Sequence, residues 1–307
     1  MSSVKIKKIL NSFPVTMTNQ KTIPENKTVP ILNEIFVLVQ EKTGHDFSLY
    51  KKNTIYRRIQ RRMKVCQIQE MSQYFMYLKE NPDEISFLCN EFLINVTQFF
   101  RDPEAYNSLK SSLSWMLHGK VDGDVIRIWV PGCSSGEEVY SIAIILKELS
   151  EEIGKSFKVQ IFGTDLDESV IKTARSGRYN DIDANVSPER LEKYFFRKDN
   201  EYIIKNEIRE MMIFSTHNVI TDPPFTKLDM ISCRNLLIYL ESKAQKQVIL
   251  NFINALNMGG ILFLGPSENI GNFLEAFNVD DNKWNILRCI SSGRRLENLK
   301  TNLYFIP

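Results

Sequence analysis

Apolar residues recur along this chain at two different periods, and the period changes near residue 120. From 31 to 94 they return every three or four positions through ILNEIFVLVQEK, SLYKKNTIYRRIQRRMKV, QEMSQYFMYLKE and the Pro82-led DEISFLCNEFLI, which predicts a small all-α domain. Beyond it, short β-rich runs alternate with amphipathic helical stretches. The runs are VIRIWV (125–130), VQIFGTD (159–165), MMIFSTHNV (211–219), DMISC (229–233) and ILFLG (261–265). Strand, helix, strand alternation predicts an α/β fold with a doubly wound sheet over 95–290. Within it, segment 178–210 carries YFFRK and EYIIK on either side of Asp199-Asn200, the pattern of a tight antiparallel hairpin in an inserted β-subdomain. Residues 1–30 are polar and broken by Pro14, Pro24 and Pro30, so they read as a flexible arm, and 291–307 as a C-terminal tail.

Composition narrows the class. The chain has 307 residues, 43% of them hydrophobic, enough for a sizeable core, and no apolar run approaches the ~20 residues of a membrane span, so a cytoplasmic protein is expected. Five scattered cysteines without a CxxC and only three histidines argue against a disulfide frame or a metal site. A net charge of +2 conceals an asymmetry: residues 1–80 hold 14 Lys and Arg against 6 Asp and Glu. At about 100° per residue, Ile55, Tyr56, Ile59, Met63 and Cys66 share one face of a helix, while Lys51, Arg57, Arg58, Arg61, Arg62 and Lys64 share the other. Taken alone, such a face is most often simply solvated, and nucleic acid is a second reading.

Chemistry concentrates where strands end. The first run leads into VPGCSSGEEVYSIA, where Gly132 and Gly136 allow a ligand to approach the backbone at a helix start. The segment is neither GxGxxG nor a P-loop, which removes an ATPase or GTPase reading. GTDLD places Asp165 at the end of the second strand, where a carboxylate can accept hydrogen bonds from both hydroxyls of a ribose, while Asp167 fits a helix cap. In NVTQFFRDPEAY, an extended backbone would bring Asn95 and Thr97 to one side with Arg101 in phase, as one wall of a cleft.

NVTQFFRD, WVPGCSSGEEVYSIA, IFGTDLD, FSTHNV, SCRNLLIYL and LGPSE occur in this order over about 30–290. Together they resemble the CheR family of chemoreceptor protein-glutamate O-methyltransferases. The resemblance implies a CheR-type helical domain at 31–94 and a Rossmann-like class I methyltransferase domain at 95–290. It further implies S-adenosyl-L-methionine as methyl donor, S-adenosyl-L-homocysteine as product and no metal. The acceptors would be glutamate carboxylates on the acidic helical cytoplasmic domain of a methyl-accepting chemotaxis protein, with no nucleic-acid partner and no membrane insertion. Matched block by block, Asn95, Thr97, Arg101, Glu137, Asp165, Asn218, Arg234 and Asn235 would bind the cofactor. Arg101 and Tyr239 would flank the reacting methyl, and Arg57, Arg58, Arg61 and Arg62 would dock the substrate.

This chain departs from the family in two places: SSGEEV stands for the frequent STGEE followed by Pro or Ala, and Pro266 of GPSEN stands where many members have His. A rival reading comes from Asp222-Pro223-Pro224-Phe225, which resembles the tetrapeptide of amino-directed nucleic-acid methyltransferases. There it directly follows the fourth strand, whereas here it precedes DMISC. A third reading is a non-catalytic S-adenosylmethionine-binding signalling module.

Overall fold

The computed structural model describes residues 28–182 and 185–291. Most of the expected arm (1–27) and tail (292–307) lies outside the described residues, and Thr28 already opens the first helix. Four helices come first: α1 (Thr28–Thr43), α2 (Lys52–Val65), α3 (Met71–Glu80) and α4 (Pro82–Phe92). Their apolar faces meet in one cluster built around Leu32, Ile35, Ile55, Ile59, Tyr74, Leu78, Leu88 and Phe92. Pro82 stands in the first turn of α4 with Asp83 and Glu84 beside it, placing negative charge where the helix dipole favours it.

The remaining chain alternates through α5 (Pro103–His118), β1 (Val125–Pro131), α6 (Glu137–Ile153), β2 (Lys158–Asp165), α7 (Glu168–Ser176) and β3 (Arg178–Tyr179). It continues through α8 (Pro188–Tyr194), β4 (Phe195–Lys198), β5 (Glu201–Ile204), α9 (Asn206–Arg209) and β6 (Met212–Thr216). It closes with β7 (Leu228–Cys233), α10 (Ser242–Ala255), β8 (Leu256–Leu264), β9 (Phe277–Asp281) and β10 (Ile286–Cys289). A seven-stranded sheet runs β6-β2-β1-β7-β8-β10-β9, with β10 antiparallel to both of its neighbours and the other pairs parallel.

Strand periodicity decides which face each side chain joins. Ile126, Ile128, Val130, Ile161, Met230, Ile261, Phe263 and Ile286 enter the core beneath α5, α6 and α7. Trp129, Phe162, Ile231, Cys233, Leu262, Leu264 and Leu287 enter the other core, covered by α10. With both faces covered, a central strand such as LDMISC is buried throughout, its two polar residues paired: Asp229 accepts from Lys120 Nζ and the Ser232 hydroxyl donates to Glu138.

The inserted hairpin forms as expected: β4 and β5 pair antiparallel across Asp199-Asn200, with φ +54° at Asp199, and the two-residue β3 adds a third strand. Among the described residues no helix is long and apolar enough to cross a membrane.

Candidate active site

The carboxyl ends of β1, β2, β6 and β7 open on one cleft. Gly132, Asp165, His217, Asn218, Asn235 and Tyr239 border it on the sheet side, and Tyr50, Thr54, Ile55, Phe92 and Leu93 on the helical side, with Asn95 between. The helical unit is therefore part of the cleft wall. Main-chain bonds stitch the halves together: the Lys51 N–H donates to the Tyr239 carbonyl at 2.8 Å, and the Glu241 N–H to the Leu49 carbonyl at 2.9 Å.

Asp165 sits at the end of β2 with its carboxylate fixed by two backbone donors, Ser134 to Oδ2 at 2.8 Å and Asp167 to Oδ1 at 3.0 Å. Burial pushes its carboxyl up from the ordinary range, against the downward pull of those N–H groups. Each oxygen keeps a lone pair for a further donor. Asp167 caps α7, accepting from the Ser169 N–H at 2.8 Å, and its other oxygen accepts from Asn95 Nδ2 at 2.6 Å. Across the cleft Gly132 has φ +69°, and a Cβ there would lie 3.0 Å from Leu236 Cδ2, so both the turn and the space call for glycine.

Of the expected site residues, Asn95, Asp165, Asn218, Asn235 and Tyr239 border the cleft, whereas Thr97, Arg101, Glu137 and Arg234 do not. Left-handed backbone at Phe100 (φ +48°) and Asp102 (φ +62°) breaks the alternation that would have carried Arg101 into phase. Its Nη1 instead donates to the Val96 carbonyl at 3.2 Å. Glu137 opens α6 and accepts both carboxylate bonds from the Ser135 hydroxyl at 2.8–2.9 Å. The Tyr179 hydroxyl of β3 donates to the Ser135 carbonyl at 2.8 Å, so the inserted subdomain braces the glycine turn.

Arg234 is a buried structural cation. Its side chain is 1% exposed, and its guanidinium donates to the Arg101 carbonyl and to Asp102 Oδ2 at 2.7 Å, with Glu138 3.8 Å away. Asp102, although it immediately precedes the Pro103 that opens α5, makes no side-chain cap and serves this ion pair.

The cationic face of α2 also differs from its helical projection. Arg62 forms a two-pronged bond to Glu84 at 2.7 and 2.9 Å, and Arg58 and Arg61 share Glu91 at 3.5 and 3.2 Å. Those carboxylates belong to α4, which a projection of α2 alone cannot see. Among the described residues Arg57 makes no ion pair, so of the four arginines it is the free cation of this face.

The Asp222–Phe225 tetrapeptide turns inward. Asn218 and Asp222 bond each other through backbone and side chain, and the Phe225 ring stacks on Phe162 with centroids 4.4 Å apart. His217, Tyr50, Thr54 and Leu236 were not anticipated as cleft residues. The only hint was that FSTHNV and SLYKKNT adjoin segments already singled out.

The cleft suits an adenosyl ligand. A carboxylate with lone pairs to spare closes one strand end, a Cβ-free turn faces it, and His217 Nδ1 is buried with no hydrogen-bond partner among the described residues, while its Nε2 lies 3.1 Å from the Pro223 carbonyl. Fold and cleft together define a Rossmann-like methyltransferase of the S-adenosylmethionine-binding class. Family models match residues 31–93 as the CheR methyltransferase all-alpha domain and residues 95–286 as the CheR methyltransferase SAM binding domain. The chain belongs to the CheR methyltransferase family.

Its relatives include an uncharacterized 104.1 kDa protein of Rhodobacter capsulatus, 35% identical over 85% of this chain, of which the chain spans only 28%. Chemotaxis protein methyltransferase 2 of Vibrio cholerae is 32% identical over 78% of this chain and 85% of its own. The chemotaxis protein methyltransferase of Borreliella burgdorferi is 31% identical over 83% and 93%. A solved S-adenosylmethionine-dependent methyltransferase from Clostridium acetobutylicum aligns at TM-score 0.30 and 14% identity over 52% of this chain and 49% of that one, a likeness too slight to carry an argument.

Proposed function

We propose that this protein transfers a methyl group from S-adenosylmethionine to glutamate side chains of a chemotaxis receptor, giving glutamate methyl esters and S-adenosylhomocysteine. Asp165 carries the reading, because a fixed carboxylate at the second strand end is what ribose recognition needs. The cofactor, when bound, supplies an electrophilic methyl on a sulfonium. Asp165 would hold the ribose hydroxyls, Asn218 would lie toward the adenine, and Asn95 and Asn235 would line the remaining path. Thr97 and Glu137 would serve the methionine end from outside the cleft lining.

A glutamate is already ionised near pH 7, so no general base is required. The work left to the chain is alignment and exclusion of water. Tyr239 would orient the incoming carboxylate by a hydrogen bond, and Arg101 by charge. Arg234 would act through its ion pair with Asp102, fixing the segment that carries Arg101. Excess stabilisation of the carboxylate would slow its attack, which favours these half-exposed groups over a buried cation.

The amino-directed nucleic-acid reading has little support, since Phe225 is committed to the core beside Phe162 and Trp129. The decisive experiment incubates the protein with methyl-labelled S-adenosylmethionine and a panel of receptor cytoplasmic domains. Base-labile label on the receptors is expected. Label stable to mild base, or on nucleic acid, would sink the proposal.

A further inference from the structure

Glu268 is 5% exposed and does not itself line the cleft, yet its carboxylate is saturated with donors. Oε1 accepts from the backbone N–H groups of Leu236 at 2.9 Å and Leu237 at 2.8 Å. Oε2 accepts from those of Asn235 at 3.0 Å and Gly265 at 2.6 Å. Three of the four donors belong to the loop after β7, the loop that presents Asn235 and Tyr239 to the cleft. Asn235 there holds φ +57°, a left-handed conformation that Asn tolerates better than other residues with a side chain, and the next turn, Leu237–Tyr239, is a short 3-10 helix.

The carboxylate is itself held. Asn285, in the turn between β9 and β10, donates through Nδ2 to the carbonyls of Gly265 at 2.8 Å and Glu268 at 3.0 Å. A Cβ on Gly265 would fall 2.8 Å from Glu268 Oε2 and 3.1 Å from the Asn235 nitrogen, so the carboxylate and the loop are packed to contact around a glycine.

We propose that Glu268 is a positioning residue for methyl transfer: its carboxylate clamps the 235–237 backbone in the form, left-handed at Asn235, that sets Asn235 and Tyr239 at the cleft. The proposal rests on the assignment of that cleft to the cofactor. An ionised carboxylate suits the task because it offers acceptors in every direction, whereas an amide in its place would turn N–H groups toward N–H groups. Leaving buried donors without acceptors is costly, so the loop would relax toward another conformation.

The test uses the full chain with Glu268→Gln and Gly265→Ala, and Glu268→Asp as the conservative variant. Hydrogen exchange at the amides of Asn235, Leu236 and Leu237, measured without cofactor, is expected to speed up in Gln and Ala variants and less in Asp. Steady-state methylation is expected to show the cofactor KM rising by about 10-fold or more, on the scale that small misplacements of a site produce. Turnover per folded molecule should fall as well, because Tyr239 moves with the loop, and the receptor KM should rise less than the cofactor KM. A merely structural role would scale kcat with the folded fraction and leave both KM values alone, and that result, or unchanged amide exchange, overturns the proposal. Should the wild type itself neither bind cofactor nor methylate, the cleft assignment fails, while the amide exchange still reports on the clamp.

Discussion

The Lys51 backbone N–H and the Tyr239 carbonyl, 2.8 Å apart, join the start of the basic helix to the tyrosine at the cleft. Tyr50 and Leu240 form an antiparallel bridge beside them. Helical unit and sheet are thus coupled where chemistry is expected, and a change on α2 has a short route to the site.

That coupling redirects the charge test on α2. Reversing all four arginines would set new carboxylates against Glu84 and Glu91 and disturb packing. Arg57→Glu alone leaves those pairs intact. It is expected to raise the receptor KM and flatten its salt dependence, with S-adenosylhomocysteine affinity unchanged by calorimetry. An unaltered KM and salt response would make this face merely solvated.

Arg62→Ala tests the ion pair it shares with Glu84. Burial alone would raise the Glu84 carboxyl, but the bonds from Arg62 and Tyr74 outweigh it and hold the group below its usual range. A depressed carboxyl stabilises the fold above the unfolded value of about 4.3 and loses that contribution as pH falls through its folded value. The variant should lose about 3 kcal/mol at pH 7, the scale of an uncompensated buried charge, and progressively less as pH falls below the ordinary carboxylate range. Thermal unfolding across pH measures both, and a loss independent of pH would contradict this account.

Asp165 should show the opposite sign. Its carboxyl is pushed up, chiefly by burial, with Asp167, Tyr50 and Cys133 facing it, so the unliganded fold gains from its protonated form at low pH and loses that gain as pH rises through the folded value. Cofactor affinity should therefore weaken on acidification at a pH above the usual aspartate value of about 3.9. Asp165→Asn should bind weakly at every pH; it keeps an acceptor for one of the Ser134 and Asp167 N–H groups, whereas Asp165→Ala strands both. Equal calorimetric affinity in wild type and variant would remove Asp165 from the site.

The two residues assigned to the methyl differ in what they can lose. Tyr239→Phe removes one hydroxyl and should slow turnover by about 10-fold, the equivalent of one hydrogen bond. Arg101→Ala removes a charge and should slow it by about 10²-fold. Single-turnover rates that match the wild type in both variants would place the active site elsewhere.

The short Asp199-Asn200 turn suggests that the inserted subdomain does not need a receptor tail. Receptors lacking their last residues should be methylated as fast as intact ones. A large drop in rate on truncation would overturn this.

What the sequence made legible follows from the reach of each interaction. Four N-terminal helices, five strands of the main sheet and the two strands of the inserted hairpin were readable because burial imposes a period on neighbouring residues. β9 and β10 were not: β9 is a mostly exposed edge strand with the polar sequence FNVDD, and β10, although buried at Ile286, Leu287 and Cys289, is only the four residues ILRC, too short to show a period. That Asp165 and Asn95 border the cleft was readable because strand ends and interdomain segments have fixed places in such folds. The neutralisation of Arg58, Arg61 and Arg62 was invisible to a single-helix projection, as was the burial of Arg234. The phase of Arg101 was lost to two left-handed residues that are not glycine. Glu268 lies more than thirty positions from the loop it binds, and no local pattern links them.

Trp129 offers an optical handle on the site. Its ring is 1% exposed, donates Nε1–H to Thr164 Oγ1 at 2.9 Å, and meets His217 of the cleft wall edge-on with centroids 5.4 Å apart. The other two tryptophans are Trp115, which is 63% exposed, and Trp284, packed beside the far hairpin. With those two changed to phenylalanine, emission would come from a single indole one aromatic ring removed from the ligand. Occupancy of the cleft could then be followed in real time by fluorescence, without label and without a receptor present.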